Sequence, residues 1–274
     1  MKNIKFLLLL FTASLTFTAC EDVIEVDLDT AEPRLVIDAS IEWIKGTDGS
    51  NQTVRLTTTT GYYEPEIPVV SGATVFVTNN TSGVVFTFNE VPNTGNYVCN
   101  DFIPVINDEY SLTVINDGET YTATEKLFAV PEISNVIQDD EGGILGDEIE
   151  VRFFWQDNGA EVNYYMARFD IDVLPYPDYD ALDDEFFQGN EMFAFISHED
   201  LKAGDVVHFK LGGTSERFFN YLMQLTNIAE SGGGPFQTPP TSVRGNLVNE
   251  TNIDNYAFGY FRVTEVDIMD YTVQ

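Results

Sequence analysis

The chain has 274 residues, 43% of them hydrophobic and 13% aromatic, which is enough apolar surface to bury real cores and too much for a disordered chain. Acids outnumber bases 45 to 13, a formal net charge of −32. A surface that acidic repels phosphate backbones and excludes nucleic-acid binding as a main function.

Met1 to Ala19 reads as an export signal. Lys2 and Lys5 supply its positive start, and Phe6–Phe11 opens an apolar run that reaches Phe17. The run is shorter than the about 20 residues a membrane-spanning helix needs. The next residue is Cys20, and Phe17-Thr-Ala-Cys20 resembles a bacterial lipobox with Phe17 in place of the usual Leu. Lipid on Cys20 would hold the mature chain at a membrane, since each buried methylene contributes about 0.8 kcal/mol. Loss of Lys2 and Lys5 with the signal takes the net charge from −32 to −34. Residues 20–32 form an acidic tether. Glu21 and Asp22 stand directly after Cys20, an arrangement that resembles the surface-export signal of Bacteroidota lipoproteins. Ile24, Val26 and Leu28 alternate with Glu25, Asp27 and Asp29, so the tether also has the period of a strand.

The remainder reads as all-β, in two β-sandwich-like domains at 33–130 and 131–274. In the first, Leu35–Ile41 and Thr53–Thr57 are strands. Ala73, Val75 and Val77 share a face, as do Val84, Phe86 and Phe88, and Tyr110, Leu112 and Val114. Asp117-Gly118 is a hairpin signal, with Tyr121 and Ala123 on the returning strand. About seven short strands in roughly 95 residues predict an immunoglobulin-like or transthyretin-like sandwich. Cys99, with Cys20 acylated, is expected to be a small buried hydrophobe on a strand.

Val130-Pro131 ends that domain. In the second, Ile149, Val151, Phe153 and Trp155 alternate, Asp157-Asn158-Gly159 turns the chain, and Asn163–Phe169 returns, which predicts a long hairpin. Val207, Phe209 and Leu211 form a strand. Phe218, Tyr221, Leu222, Leu225 and Ile228 fall on one helical face, with Ser215 as N-cap and Gly232 as stop. This is the one main helix, expected near 216–229. Ala257–Val266 closes the chain as a strand.

The search for catalytic chemistry finds no phosphate loop, no nucleophile elbow and no paired-histidine zinc motif. His198 reads as a turn residue and His208 as solvent-facing. No catalytic residue, metal ligand or cofactor is therefore expected. Asp178, Asp180, Asp183, Asp184 and Glu185 form an acidic loop whose spacing lacks the order of a calcium loop but leaves calcium binding open. The stretches around Leu174–Tyr179 and Gly232–Pro240 carry more Pro and aromatic residues than spacers need. Tyr176, Tyr179 and Phe236 are the candidate contact surface.

Several segments together resemble a Bacteroidota lipoprotein family known as domain of unknown function 4249. They are Cys20–Asp29, Pro33–Val36, Asp157 with Asn163–Tyr165, Pro235-Phe236, Pro239-Pro240, Gly245-Asn246 and Gly259–Phe261. The resemblance implies an outer-membrane lipoprotein, often encoded beside a TonB-dependent receptor, and no known reaction or ligand. The expectation is a non-catalytic lipoprotein, anchored through Cys20 and facing the cell exterior, that assists a TonB-dependent receptor in nutrient uptake. An adhesion or structural module, or a hydrolase with a loop-built site, are the alternatives.

Overall fold

Alternation of apolar and polar residues sets the strands of the first half. In β1 (Leu35–Ile44), Leu35, Ile37, Ala39 and Ile41 are buried, and Asp38 and Ser40 point to the other face. The same period builds β2 (Gln52–Thr58), β3 (Thr74–Asn79), β4 (Val85–Val91), β5 (Asn96–Cys99), β6 (Glu109–Asn116) and β7 (Glu119–Lys126). Asp117 and Gly118 both take positive φ, 49° and 80°, between β6 and β7, the geometry an Asp-Gly hairpin turn requires. The computed structural model describes residues 32–61, 64–230 and 242–274. The export signal, Cys20, the tether up to residue 31, Gly232 and Phe236 lie outside the described residues.

β8 (Ile133–Gly142), β9 (Glu148–Gln156), β10 (Tyr164–Asp170), β11 (Asp178–Asp183), β12 (Glu191–His198) and β13 (Val206–Thr214) follow. Helix α1 (Glu216–Glu230) comes next, then β14 (Val248–Asn249) and the long β15 (Phe258–Thr272). Ser215 caps α1 as expected: its Oγ accepts a 3.1 Å hydrogen bond from the Phe218 amide, a contact worth about 1 kcal/mol.

Among the described residues the fold is mostly β, built as two sandwiches with one helix. In the first, β1, β2, β5 and the start of β15 make one layer, and β3, β6, β7 and β14 the other. β4 passes between them, pairing with β3 through Val85–Phe88 and with β5 through Asn89–Val91. Ile37, Leu56, Val77, Phe86, Tyr97, Leu112 and Val114 fill the space between the layers. Cys99 is buried there and unpaired, and burial pushes its thiol up to about 11, which makes it inert rather than nucleophilic.

In the second sandwich β8, β9 and β12 face a layer of β10, β11, β13 and the end of β15. The expected hairpin of β9 and β10 is not formed. After Asp157–Gly159 the chain crosses to the opposite layer, and the two strands meet face to face. The Phe153 ring sits 6.1 Å from Phe169 and 4.4 Å from Phe209. Both strands carry a fully apolar inner face, and packing those faces together buries more than pairing their edges would.

Two further expectations are corrected. Asp178–Asp183 is not a loop but the edge strand β11, paired with β10 from Phe169↔Asp178 to Tyr164↔Asp183. Acids suit an edge strand because charge discourages pairing with another chain. The closing strand runs on to Thr272, because Asp267 and Asp270, which interrupt its pattern, are used: Asp267 accepts from the Ile133 amide at 2.7 Å and Asp270 bonds His208 at 2.8 Å. β15 serves both cores. Phe261 and Val263 lie in the first, with Leu247 and Ala257, and Val273 just beyond β15 lies in the second. Pro33–Gln274 forms one compact unit.

Candidate functional site

Helix α1 packs across the outer face of the shared sheet, where β1, β15, β10 and β11 expose a mixed surface. Phe218 and Leu222, spaced four apart, are its buried anchors. Phe218 meets Tyr260 edge-on at 4.9 Å, Tyr221 lies 4.7 Å from the same Tyr260 ring, and Phe219 packs on Tyr164 at 5.2 Å. The helix does not seal the sheet. A cleft of about 410 Å³ remains, walled by α1 through Tyr221, Leu222, Leu225 and Thr226, floored by Met166, Gly259 and Tyr260, and edged by Asp38, Asp178 and Tyr179. That volume is within the range of small-ligand sites, and the pattern of apolar walls with few polar groups is theirs as well.

Beside the cleft the sheet carries a ladder of charge. Arg168 on β10 is in register with Tyr179 on β11 and Lys210 on β13. Glu42 on β1 bonds both Lys210 and Arg262, the latter at 2.5 Å. Burial alone would raise the Glu42 carboxyl, but the charges and bonds of Arg262 and Lys210 hold it below its ordinary value. The guanidinium of Arg262 also stacks over Phe218 at 5.4 Å, and that of Arg168 over Tyr179 at 5.7 Å.

The three residues singled out in the sequence fare differently. Tyr179 lies at the edge of the cleft, and burial raises its phenol above the ordinary value. Tyr176 is 80% exposed on the loop before β11, and the neighbouring Pro177 lines the cleft. Phe236 lies outside the described residues. Of the acidic stretch, Asp184 is only 1% exposed and accepts from the Asn163 amide at 2.9 Å, so it ties the β11 end to β10. Among the described residues no group of three or more His, Cys, Asp or Glu side chains is placed to hold a metal ion. His198 ends β12, its Nδ1 accepting from the Asp200 amide at 3.1 Å.

A second feature was not singled out in the sequence. Glu125 on β7 is 8% exposed; its carboxylate accepts from the Tyr260 hydroxyl at 2.9 Å and from Asn246 Nδ2 at 3.2 Å. Burial raises its carboxyl, and the bonds from Tyr260, Ser215 and Asn246 offset only part of that. Tyr260 in turn is raised by burial and by the Glu125 charge. Asn246 also spans Phe261 of β15, accepting from its amide at 2.9 Å and donating to its carbonyl at 2.7 Å. A Cβ at Gly245 would overlap the Gly259 carbonyl, and one at Gly259, whose φ is +96°, would overlap the Ile37 carbonyl. The segments Gly245-Asn246 and Gly259–Phe261 therefore lock together by close backbone approach. Tyr260 joins this lock to the cleft floor. Asp157 plays a like part, accepting from the Tyr165 hydroxyl at 2.6 Å and the Gly189 amide at 2.7 Å.

No curated protein matches the chain. Among solved structures it is similar to a two-domain fibronectin type III segment of chicken tenascin, at 11% identity over 68% of this chain and 92% of that one, with a TM-score of 0.22. It is also similar to the FN1–FN3 domains of chicken CNTN1, at 15% identity over 60% of this chain and 56% of that one, with a TM-score of 0.22. A cytokine receptor complex matches at 10% identity over 65% of this chain and 82% of that one, with a TM-score of 0.23. Likenesses this distant carry no argument about function. The family model described as Domain of unknown function (DUF4249) matches residues 21–268, and the chain belongs to that family.

Proposed function

We propose that this chain is a non-catalytic, lipid-anchored binding protein of the outer membrane that captures cargo in the α1 cleft beside a TonB-dependent receptor. The cleft is the observation that carries the reading. It combines a volume of about 410 Å³, aromatic walls and a few polar groups on a rigid sheet. Glu125, the acid whose burial would suit proton transfer, is enclosed by Tyr260 and Asn246 and spent on structure. The lipobox ending at Cys20 supports the anchor, and confinement to a membrane raises the effective concentration of a weak contact. Filling the cleft with Thr226→Trp is expected to abolish cargo binding and to lower uptake through the receptor, with the fold unchanged by circular dichroism. Undiminished binding and uptake in that variant would place the contact elsewhere.

A second reading, an adhesion module, is favoured by one surface. The outer face of β12 and β9 exposes Phe193 at 43% and Phe195 at 45%, with Phe154 5.5 Å from Phe193. An aromatic patch of this kind marks interaction surfaces. Phe193→Ser with Phe195→Ser would abolish cell attachment under this reading and leave cargo uptake unchanged under the first.

A further inference from the structure

We propose that the α1 cleft takes a short cationic peptide, a Lys or Arg side chain meeting the carboxylate of Asp38 or of Asp178 while an adjacent apolar side chain packs against Phe218, Tyr221, Leu222 and Leu225. This inference rests on the binding reading above and adds the class of ligand.

Charge decides between anions and cations. Asp38 and Asp178 are both exposed at the cleft, from β1 and β11. Ser40 Oγ donates to Asp38 at 3.0 Å, and the Tyr179 amide donates to Asp178 at 3.0 Å, so both carboxylates are held in place. Among the described residues the one cation lining the cleft is Arg262, whose guanidinium is bonded to Glu42 at 2.5 Å and stacked on Phe218. Its charge is engaged before any ligand arrives. An anion entering the cleft would meet two carboxylates and no available cation, within a chain of net charge −32. A cation would meet a carboxylate acceptor at Asp38 or at Asp178, and charge-assisted hydrogen bonds are about twice as strong as neutral ones.

The walls decide between peptide and glycan. Met166, Phe218, Leu222, Leu225 and Ala229 offer no hydrogen-bonding groups. Thr226 and Tyr221 are the polar exceptions on α1, so a sugar would still leave most of its hydroxyls unpartnered along that wall, a desolvation cost with little return. An aliphatic or aromatic side chain loses nothing there. Tyr221 lies near enough to Asp38 to feel its charge, and its ring suits the methylene stem and charged head of Lys or Arg.

The test uses the full mature protein in detergent, labelled at its methionine methyl groups, with Met166 on the cleft floor as reporter. Three probes are titrated: acetyl-Phe-Lys-amide, acetyl-Phe-norleucine-amide and acetyl-Phe-Glu-amide. The Lys peptide is expected to shift the Met166 methyl signal and to bind at least about tenfold more tightly than the Glu peptide. Asp38→Asn with Asp178→Asn should remove that preference and retain binding of the norleucine peptide. Equal affinities for the Lys and Glu peptides, or an unchanged preference in the double variant, would overturn the cationic class. If Thr226→Trp still abolished binding in that case, the cleft would stand as the site and only the ligand class would fall. No shift with any of the three peptides would overturn the peptide inference outright, and cargo uptake in Thr226→Trp would then judge the binding reading by itself.

Discussion

Asn246→Ala removes the side chain that locks the 245–246 segment to β15. β13 pairs with β15 only as far back as Gly212↔Val266, so the edge of β15 at Phe261 is served by Asn246 instead. The substitution deletes bonds of 2.9 Å from the Phe261 amide, 2.7 Å to the Phe261 carbonyl and 3.2 Å to Glu125, all buried. A buried polar group left without its partner costs about 1–3 kcal/mol. Two backbone groups are stranded here and Glu125 loses a donor, so the expected loss, after some relaxation, is about 3–5 kcal/mol. For a unit of this size each kcal/mol moves the melting temperature by about 2–4 °C, which gives a fall on the order of 10 °C. Urea unfolding should show a lower midpoint with an unchanged slope. Asn246→Asp is a second arm. It keeps the acceptor for the Phe261 amide but sets a carboxyl beside Glu125. Both groups would then have folded-state pKa values raised above their unfolded ones. Their contribution is whole below the unfolded values and is lost as pH rises through the folded ones, so the deficit of this variant should grow from pH 4 to pH 8. A loss under about 1 kcal/mol in Asn246→Ala, or a pH-independent deficit in Asn246→Asp, would refute the account of the lock.

Three other outcomes are expected. The raised carboxyl of Glu125 means that its own contribution to stability is whole below its unfolded value and is lost as pH rises through the folded one; Glu125→Gln should therefore be more stable than the native chain at pH 8 and equal to it near pH 4, by thermal melts at both. Gly259→Ala places a Cβ on the Ile37 carbonyl at a φ of +96°, and should give little soluble protein or a loss above about 4 kcal/mol. Cys20→Ala should release the protein from the membrane fraction, and a variant that still sediments with membranes after a high-salt wash would show that lipid does not hold it.

The strands that were legible are those with one apolar and one polar face, such as Leu35–Ile41 and Tyr110–Val114, since burial on one side imposes a period of two. The helix was legible for the same reason at its own period, and Ser215 marked its start. The pairing of β9 was not legible: Asp157-Asn158-Gly159 says that the chain turns, but not whether it returns beside itself or crosses to the facing layer. β11 was hidden by its acids, which crowd out the alternation of Tyr179 and Ala181. Glu125 did leave a signal, because a carboxyl continues the inward register of Tyr121 and Ala123. Its partners Asn246 and Tyr260 lie more than a hundred residues away in sequence, and only the fold brings them together. The cleft is of the same kind, drawing Asp38, Met166, Tyr179 and Tyr221 from four separate elements.

The most direct test of the cleft as the contact surface is site-specific photocrosslinking in living cells. A photoreactive phenylalanine replaces Leu225 in the cleft, and in a control it replaces Val85, exposed on the first sandwich. The account predicts a discrete adduct with cargo peptide or receptor from position 225 and none from position 85. No adduct at 225, or the same adduct from both positions, would contradict it.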